Sequence, residues 1–303
     1  MEAAAARLSD SYRAKGAAAA RAAHSTADVA AYLAYRAPAT YAAALDVLLR
    51  VRDQRPGWRP RSVLDVGAGP GVATWAALAV WPELERVTLV EVEPEMARAG
   101  RFIASAAASP TLGTANWVAG DATVPTAPAE LVLLSYVLNE LRESGVGPLA
   151  SSLWARTEDT VVFLEPGTPE GYARALRARD AVLAKGGFTI APCPHDLPCP
   201  LAPGDWCHFG VRLPRAETHR AVKGVSRGFE DEKLSYAAIS RTPVPRALAR
   251  VIRPTQIRSG HVYLDLCEPQ GVRRALVTRR DKEPYRRARK AAWGDALELD
   301  TPS

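Results

Sequence analysis

No stretch of this chain approaches the roughly 20 uninterrupted apolar residues that a helix needs to cross a bilayer, so no membrane span is expected. A secretory signal is missing too. The N-terminal run MEAAAARLSDSYRAKGAAAARAA has some of the look of a transit peptide, but Glu2 and Asp10 interrupt it, and no apolar core with a cleavage site follows. It reads as a helix, and a cytoplasmic location is the expectation. Cysteine is scarce, with four residues in 303. In a reducing compartment these are ligands, nucleophiles or core fillers rather than disulfide partners. Internal repeats are absent. An apolar fraction of 48% with 24% charged residues excludes bulk disorder.

What is present is an alternation of strand and helix patterns. Residues 1–57 read as Ala-rich helices, two of them parted at Pro38, with Tyr32, Leu33, Tyr41, Leu45, Leu48 and Leu49 spaced for one buried face. From Ser62 onward come strands at SVLDVG, RVTLVEV, ANWVAGD, ELVLLSYV and DTVVFLEP, with helices predicted over Val72–Val80, Pro94–Ala107 and Glu170–Lys185. This order predicts an α/β fold with a doubly wound parallel sheet. A Pro- and Cys-rich segment, Ala191 to Trp206, then breaks the pattern. The short β-like runs HFGVRLP, LSYAAIS, ARVIRPTQI, HVYLDLCE and RRALVTRR after it suggest a small antiparallel sheet or partial barrel, appended to or extending the first domain. The expected division is a helical region at 1–57, a nucleotide-type domain at 58–190, a cysteine loop with a basic β-rich region at 191–290, and a tail at 291–303.

The turn from the first strand into its helix is Asp65-Val66-Gly67-Ala68-Gly69-Pro70-Gly71. A doubly wound sheet binds adenosine-containing ligands at this place, where glycines let the backbone approach. The dinucleotide spacing G-x-G-x-x-G is not met, because Val72 stands at the third glycine position. Glycines at Gly67, Gly69 and Gly71 behind Asp65 resemble the S-adenosylmethionine motif of class I methyltransferases. Glu91, twenty residues beyond Gly71 at the end of the second strand, suits both ribose hydroxyls. Glu93 competes on the same strand face, and Glu91 is preferred by its place at the strand end. Asp121, after the third strand, takes the position where this fold reads the adenine amino group. Asp65 is expected at the methionine end. A plain strand-to-helix turn is the bland alternative.

Methyl transfer is an in-line displacement at a sulfonium, in which positioning supplies much of the catalysis. Nucleic-acid amino methyltransferases often carry an Asn or Asp, two prolines and an aromatic residue after strand four. Here the segment is Ser135-Tyr136-Val137-Leu138-Asn139-Glu140. Tyr136 and Asn139 are the catalytic candidates, Tyr136 to stack on a base and Ser135 or Asn139 to hydrogen-bond it. Tyr136 serves equally well as a core aromatic, and Asn139-Glu140 as a helix start. Glu165-Pro166-Gly167-Thr168 ends strand five at the same sheet edge, where it would border the pocket, and Pro166-Gly167 reads mainly as loop shaping.

Cys193, Cys199, Cys207 and Cys267 form C-x5-C-x7-C with a fourth cysteine 60 positions on. Three of them fall in a loop with little else to fold it, which a metal would organise. Zinc accepts four thiolates, yet its paired C-x2-C to C-x4-C knuckles are absent. The wide, proline-flanked spacing looks more like a 4Fe-4S site. Zinc and unliganded core cysteines remain alternatives. The C-x3-C-x2-C signature of radical chemistry is missing. His195 and His208, beside cysteines, are expected behind the ligands or facing RNA.

A net charge of +6 gives weak support for an anionic partner. The cations between Arg273 and Lys290 are denser, a solvated helix end or a nucleic-acid contact. RAPATYAAAL at 36–45, SVLDVGAGPGVATWAAL at 62–78, VLNEL at 137–141, FLEPGTPEG at 163–171 and the CPH, CPL and WCHF series together resemble one family. It is the family of methyltransferase-like proteins associated with the mitochondrial small ribosomal subunit, with their bacterial homologues. That resemblance implies a class I methyltransferase Rossmann-like fold, S-adenosylmethionine binding and a 4Fe-4S site at Cys193, Cys199, Cys207 and Cys267. It further implies a role in small-subunit assembly or translation, either as an rRNA methyltransferase or as a non-catalytic assembly factor. The small ribosomal subunit and its rRNA are then the partners. The basic segments, with Lys223 and Arg227, would face that RNA, and the protein is expected to be monomeric off the ribosome.

Overall fold

The structure is a computed structural model that describes residues 25–214 and 229–297. The helix expected before residue 25, together with Lys223 and Arg227, lies outside the described residues.

Helices α1 (Thr26–Tyr35) and α2 (Ala37–Gln54) open the described chain, and Pro38 sits in the first turn of α2, where a missing N–H is harmless. The core of the fold is an eight-stranded sheet. It contains β1 (Ser62–Val66), β2 (Arg86–Glu91), β3 (Asn116–Ala119), β4 (Ala129–Ser135), β5 (Thr157–Pro166), β6 (Phe188–Ala191), β7 (Phe209–Pro214) and β8 (Phe229–Ser240). Its order is β3-β2-β1-β4-β5-β8-β6, with β7 on β8. β1 to β5 are mutually parallel, and β8 runs antiparallel to β5. This is the class I methyltransferase arrangement, a Rossmann-like α/β sheet.

The continuous apolar runs are explained by burial on both faces. Val63, Leu131 and Leu133 pack against α2 and α3 (Val72–Val80), while Leu64, Val132 and Leu134 pack on the opposite side with Leu149, Leu153 and Val182. Those last residues belong to α6 (Glu143–Ala155) and α7 (Pro169–Leu183), which follow α4 (Pro94–Ala106) and the short α5 (Pro110–Gly113). Strand order reverses between β1 and β4, which leaves a crevice at the carboxyl ends of the strands.

One expectation is corrected here. The five runs do not form one sheet: HFGVRLP and LSYAAIS are β7 and the end of β8, which extend the first domain's sheet, and β8 is inserted between β5 and β6. The reason is burial: seven consecutive residues from Leu234 to Ser240 are shielded, which only a strand interior to a two-sided sheet allows. The region after residue 190 therefore supplies both sheets. The second sheet comprises β9 (Ala249–Val251), β10 (Gln256–Arg258), β11 (His261–Glu268), β12 (Gly271–Thr278) and β13 (Ala296–Leu297), in the order β10-β11-β9-β13 with β12 on β11. Helix α8 (Lys282–Lys290) covers one face through Tyr285 and Ala288, which join Val262, Leu264 and Leu266 in a core of their own. Among the described residues no helix is long and apolar enough to cross a membrane.

Candidate functional site

The crevice at the strand ends is a cleft of about 1200 Å³, counting the space at its mouth. Its floor is the turn after β1. Gly67 has φ +68°, and a Cβ there would lie 2.3 Å from Val137 Cγ2, so only glycine fits between the turn and the segment after β4. Gly69 has φ +56°, and its nearest neighbour for a Cβ is the Tyr32 hydroxyl at 4.0 Å. Nothing but the cleft stands over it.

Five carboxylates line the same cleft: Asp65, Glu91, Glu93, Asp121 and Glu140. The Glu91 carboxylate accepts from the Gly69 N–H at 2.6 Å and from the Glu93 N–H at 2.8 Å. Burial raises its pKa against those two donors. Asp65, 1% exposed, accepts from the Thr74 hydroxyl at 2.7 Å through Oδ2, while Oδ1 is buried without a partner. Burial lifts this carboxyl to about 6, opposed by Thr74 and assisted by Glu91. Glu140 is pushed up to about 7 by burial and then by Glu91 and Glu93. Asp121 lies at the exposed rim, where Thr123 donates to it from both N–H and hydroxyl and holds it below the usual carboxylate range.

The turn after β4 is held from beneath. Glu165, fully buried at the end of β5, accepts the Leu138 N–H at 2.8 Å, and burial pushes its carboxyl up to about 8 despite that bond and nearby Arg174. The resulting 3-10 turn, Leu138–Glu140, brings Glu140 to the cleft, whereas Asn139 is not among the lining residues. Of the two catalytic candidates, only Tyr136 reaches the cleft. It is a non-glycine residue at φ +61°, with the Arg36 guanidinium 5.4 Å from its ring centroid and its hydroxyl donating to Glu232 at 3.4 Å. Arg36 in turn makes a two-pronged pair with Glu232 at 3.0 and 3.2 Å. Arg36 and Glu232 were missed in the sequence, Tyr32 and Glu140 were read only as a core aromatic and part of a helix start, and Glu165 only as part of an edge bordering the pocket; nothing local showed that they converge.

All four cysteines line a second cavity, of about 550 Å³ counting the space at its mouth, walled by α7, β8, the loop after β6 and the second sheet. None is in a disulfide. Burial and the neighbouring thiols push Cys193 and Cys207 above the ordinary thiol range, and Cys267 up to about 12. The Tyr172 hydroxyl donates to Cys199 Sγ at 3.0 Å. Two buried guanidinium groups share the wall. Arg179, 2% exposed, donates to the carbonyls of His195 and Leu197 and pairs with Asp180. Arg250, 3% exposed, donates to the carbonyls of Pro192 and Gly294 and has no carboxylate partner among the described residues. Within those residues no group of three or more His, Cys, Asp or Glu side chains is gathered for a single metal ion. His195 is 4% exposed with Nε2 3.7 Å from Cys267 Sγ, so it packs inside and does not face RNA. His208 stacks on Trp206 and meets Trp293 edge-on.

Comparison with known proteins places these features. "Ribosome assembly protein METTL17, mitochondrial" of Homo sapiens is 28% identical over 90% of this chain, and the chain spans 63% of that protein. "Rsm22-cox11 tandem protein 2, mitochondrial" of Schizosaccharomyces pombe is also 28% identical over 90% of the chain, which spans 43% of it. Among solved structures, magnesium protoporphyrin IX methyltransferase (ChlM) from Synechocystis PCC 6803 with bound SAM aligns with a TM-score of 0.45 at 10% identity, over 67% of this chain and 80% of that one. The family model described as "Mitochondrial small ribosomal subunit Rsm22" matches residues 26–298, and the chain belongs to that family.

Proposed function

We propose that this chain binds S-adenosylmethionine in the cleft and acts on the small ribosomal subunit as a methyltransferase-like assembly protein. The carrying observation is the charge of the cleft: among the described residues five carboxylates line it, and the one lining cation, Arg36, is already engaged by Glu232. Such a lining suits a ligand with a sulfonium and an ammonium group. Asp65 Oδ1 is buried without a hydrogen-bond partner. Glu91 at the end of β2 would take the ribose hydroxyls, Asp121 at the rim the adenine amino group, and Asp65 and Glu140 the cationic end.

The four cysteines would hold a 4Fe-4S cluster. The donor set fits: four thiols line one cavity, beside Arg179 and Arg250. An anionic cluster would answer the buried Arg250 charge, which carbonyls alone oppose weakly. Such a group, structural or redox-sensing, would join the loop after β6 to the strand carrying Cys267. Zinc, with the same thiolates, is the alternative metal. We place the protein in the cytoplasm, as a monomer when off the ribosome.

A second reading, an assembly factor that binds the cofactor without methyl transfer, is favoured by Tyr136. Its hydroxyl and ring are both committed to the Arg36–Glu232 pair, and the amine-orienting motif is absent beside it. Tritiated methyl transfer to immature small subunits separates the two, with Gly69→Arg filling the cleft as control. Incorporation above that control is expected of the enzyme; none above it leaves the assembly factor.

A further inference from the structure

The face of the second sheet that α8 leaves uncovered has its own pattern. Along β11, Val262, Leu264 and Leu266 point into the core under α8, and His261, Tyr263 and Asp265 lie half-exposed on the other face. The register continues that face across the sheet. Leu276 and Arg274 of β12 stand opposite Tyr263 and Asp265, and Gln256 and Arg258 of β10 stand opposite Tyr263 and His261. The rings of His261 and Tyr263 meet edge to face at 5.1 Å. The guanidinium of Arg274 lies 5.0 Å from the Tyr263 ring centroid, with about half of its side chain open to solvent.

Positive charge predominates on this face. Arg258, Arg279 and Arg280 are exposed at the end of the sheet where β10 turns into β11 and β12 ends, and the Arg279 N–H donates to the Gly260 carbonyl there. Those three have no acidic partner among the described residues. Of the carboxylates nearby, Asp265 is 3.6 Å from Arg274, Asp281 is held by Thr278, and Glu268 is paired with Arg273. A half-exposed aromatic pair with a guanidinium plane fixed over it offers base-sized flat surfaces, and unpaired arginines beside it offer phosphate contacts.

We propose that this face, centred on Tyr263 and Arg274, is a stacking platform for single-stranded RNA. Bases stack on the Arg274 plane and on the His261 and Tyr263 rings, and the sugar-phosphate backbone runs toward Arg258, Arg279 and Arg280. Leu276, about half exposed, extends the apolar floor. The choice of RNA over another polyanion rests on the proposed small-subunit role; the geometry of the platform does not.

The test is fluorescence anisotropy of the full chain with a labelled single-stranded oligouridylate, its abasic counterpart, and salt titration of both. Loss of base stacking is worth roughly tenfold in affinity. Tyr263→Ala is expected to weaken oligouridylate binding by about that factor and to leave abasic binding unchanged, and Arg274→Ala, which also removes a charge, to weaken oligouridylate binding by more than it weakens abasic binding. Tyr263→Phe, which keeps the ring, is expected to bind as the parent does and controls for folding. Arg258→Ala with Arg279→Ala and Arg280→Ala is expected to lower the salt slope by about 2. Equal binding of base-containing and abasic strands, or full affinity in Arg274→Ala, overturns the platform. Co-sedimentation with small subunits is read in parallel. Parent protein that co-sediments while these variants bind RNA undiminished sinks the platform alone. Ring-dependent RNA binding without co-sedimentation keeps the platform and sinks the small-subunit role.

Discussion

The carboxylate of Glu91 accepts a hydrogen bond from the Gly69 N–H at 2.6 Å, so the residue expected to hold ribose also ties the end of β2 to the glycine turn after β1. Glu91→Ala should both loosen that turn and remove the acceptor. A hydrogen bond to a charged group contributes about 1.5–3 kcal/mol, so S-adenosylmethionine affinity by calorimetry is expected to fall at least tenfold on the scale of about 1.4 kcal/mol per decade. Glu91→Gln, which keeps an acceptor for Gly69, should lose less. Unchanged affinity in Glu91→Ala removes the ribose role.

Glu140 makes cofactor binding depend on pH. Its carboxyl, raised to about 7 by burial and by Glu91 and Glu93, is largely protonated below that value in the free protein. A cationic ligand favours the ionised form, so affinity for S-adenosylmethionine is expected to rise as pH increases toward 7 and to level off above it. Glu140→Gln should flatten the profile. A profile identical to the parent's would show that Glu140 does not face the ligand's charge.

Glu165 acts on stability in the opposite sense. Its folded pKa, about 8, lies above the ordinary carboxylate range, so the folded state holds the proton more tightly than the unfolded chain does. The contribution is fully present below the ordinary carboxylate range and is lost as pH rises through about 8. The size is on the order of a few kcal/mol. In urea melts, Glu165→Gln is expected to lose less stability than the parent between pH 5 and pH 9. A parallel decline in both would assign the effect to other groups.

The thiol cavity separates the metal readings. Protein purified without oxygen is expected to contain iron and sulfide and to show the broad visible absorption of iron-sulfur proteins, lost in Cys199→Ser. Stoichiometric zinc in colourless protein would replace the cluster with the tetrahedral ion. Arg250→Met should lower retention of an anionic cluster on dialysis while leaving the four thiols in place. Equal retention would show that the guanidinium does not serve it.

Much of this was legible before any coordinates. β1 to β5 and the helices after them fell where hydrophobic pattern and turn chemistry put them, because two-sided burial writes continuous apolar runs and glycine punctuates their ends. Gly67, Gly69, Glu91 and Asp121 arrive at one cleft because parallel strands all deliver their carboxyl ends to one edge. Asn139 is absent from the cleft lining while Glu140 is present, since which residue of a 3-10 turn faces a cleft depends on what holds the turn, here Glu165 from the next strand. His195 takes the first of its two expected places, behind the cysteines, with Cys267 of β11 as its neighbour.

The sequence by itself determined the elements and the local chemistry: the glycine turn, the acidic residue at the end of the second strand, the complete set of four cysteines. Tertiary structure alone decided the insertion of β8 between β5 and β6, the arrival of Arg36 against Glu232 across 196 positions, and the meeting of Cys267 with three cysteines of a distant loop. The difference is range. Propensity, turn residues and periodicity act over a few neighbours along the chain. Strand pairing and the facing of buried charges are settled by which distant surfaces can exclude water together.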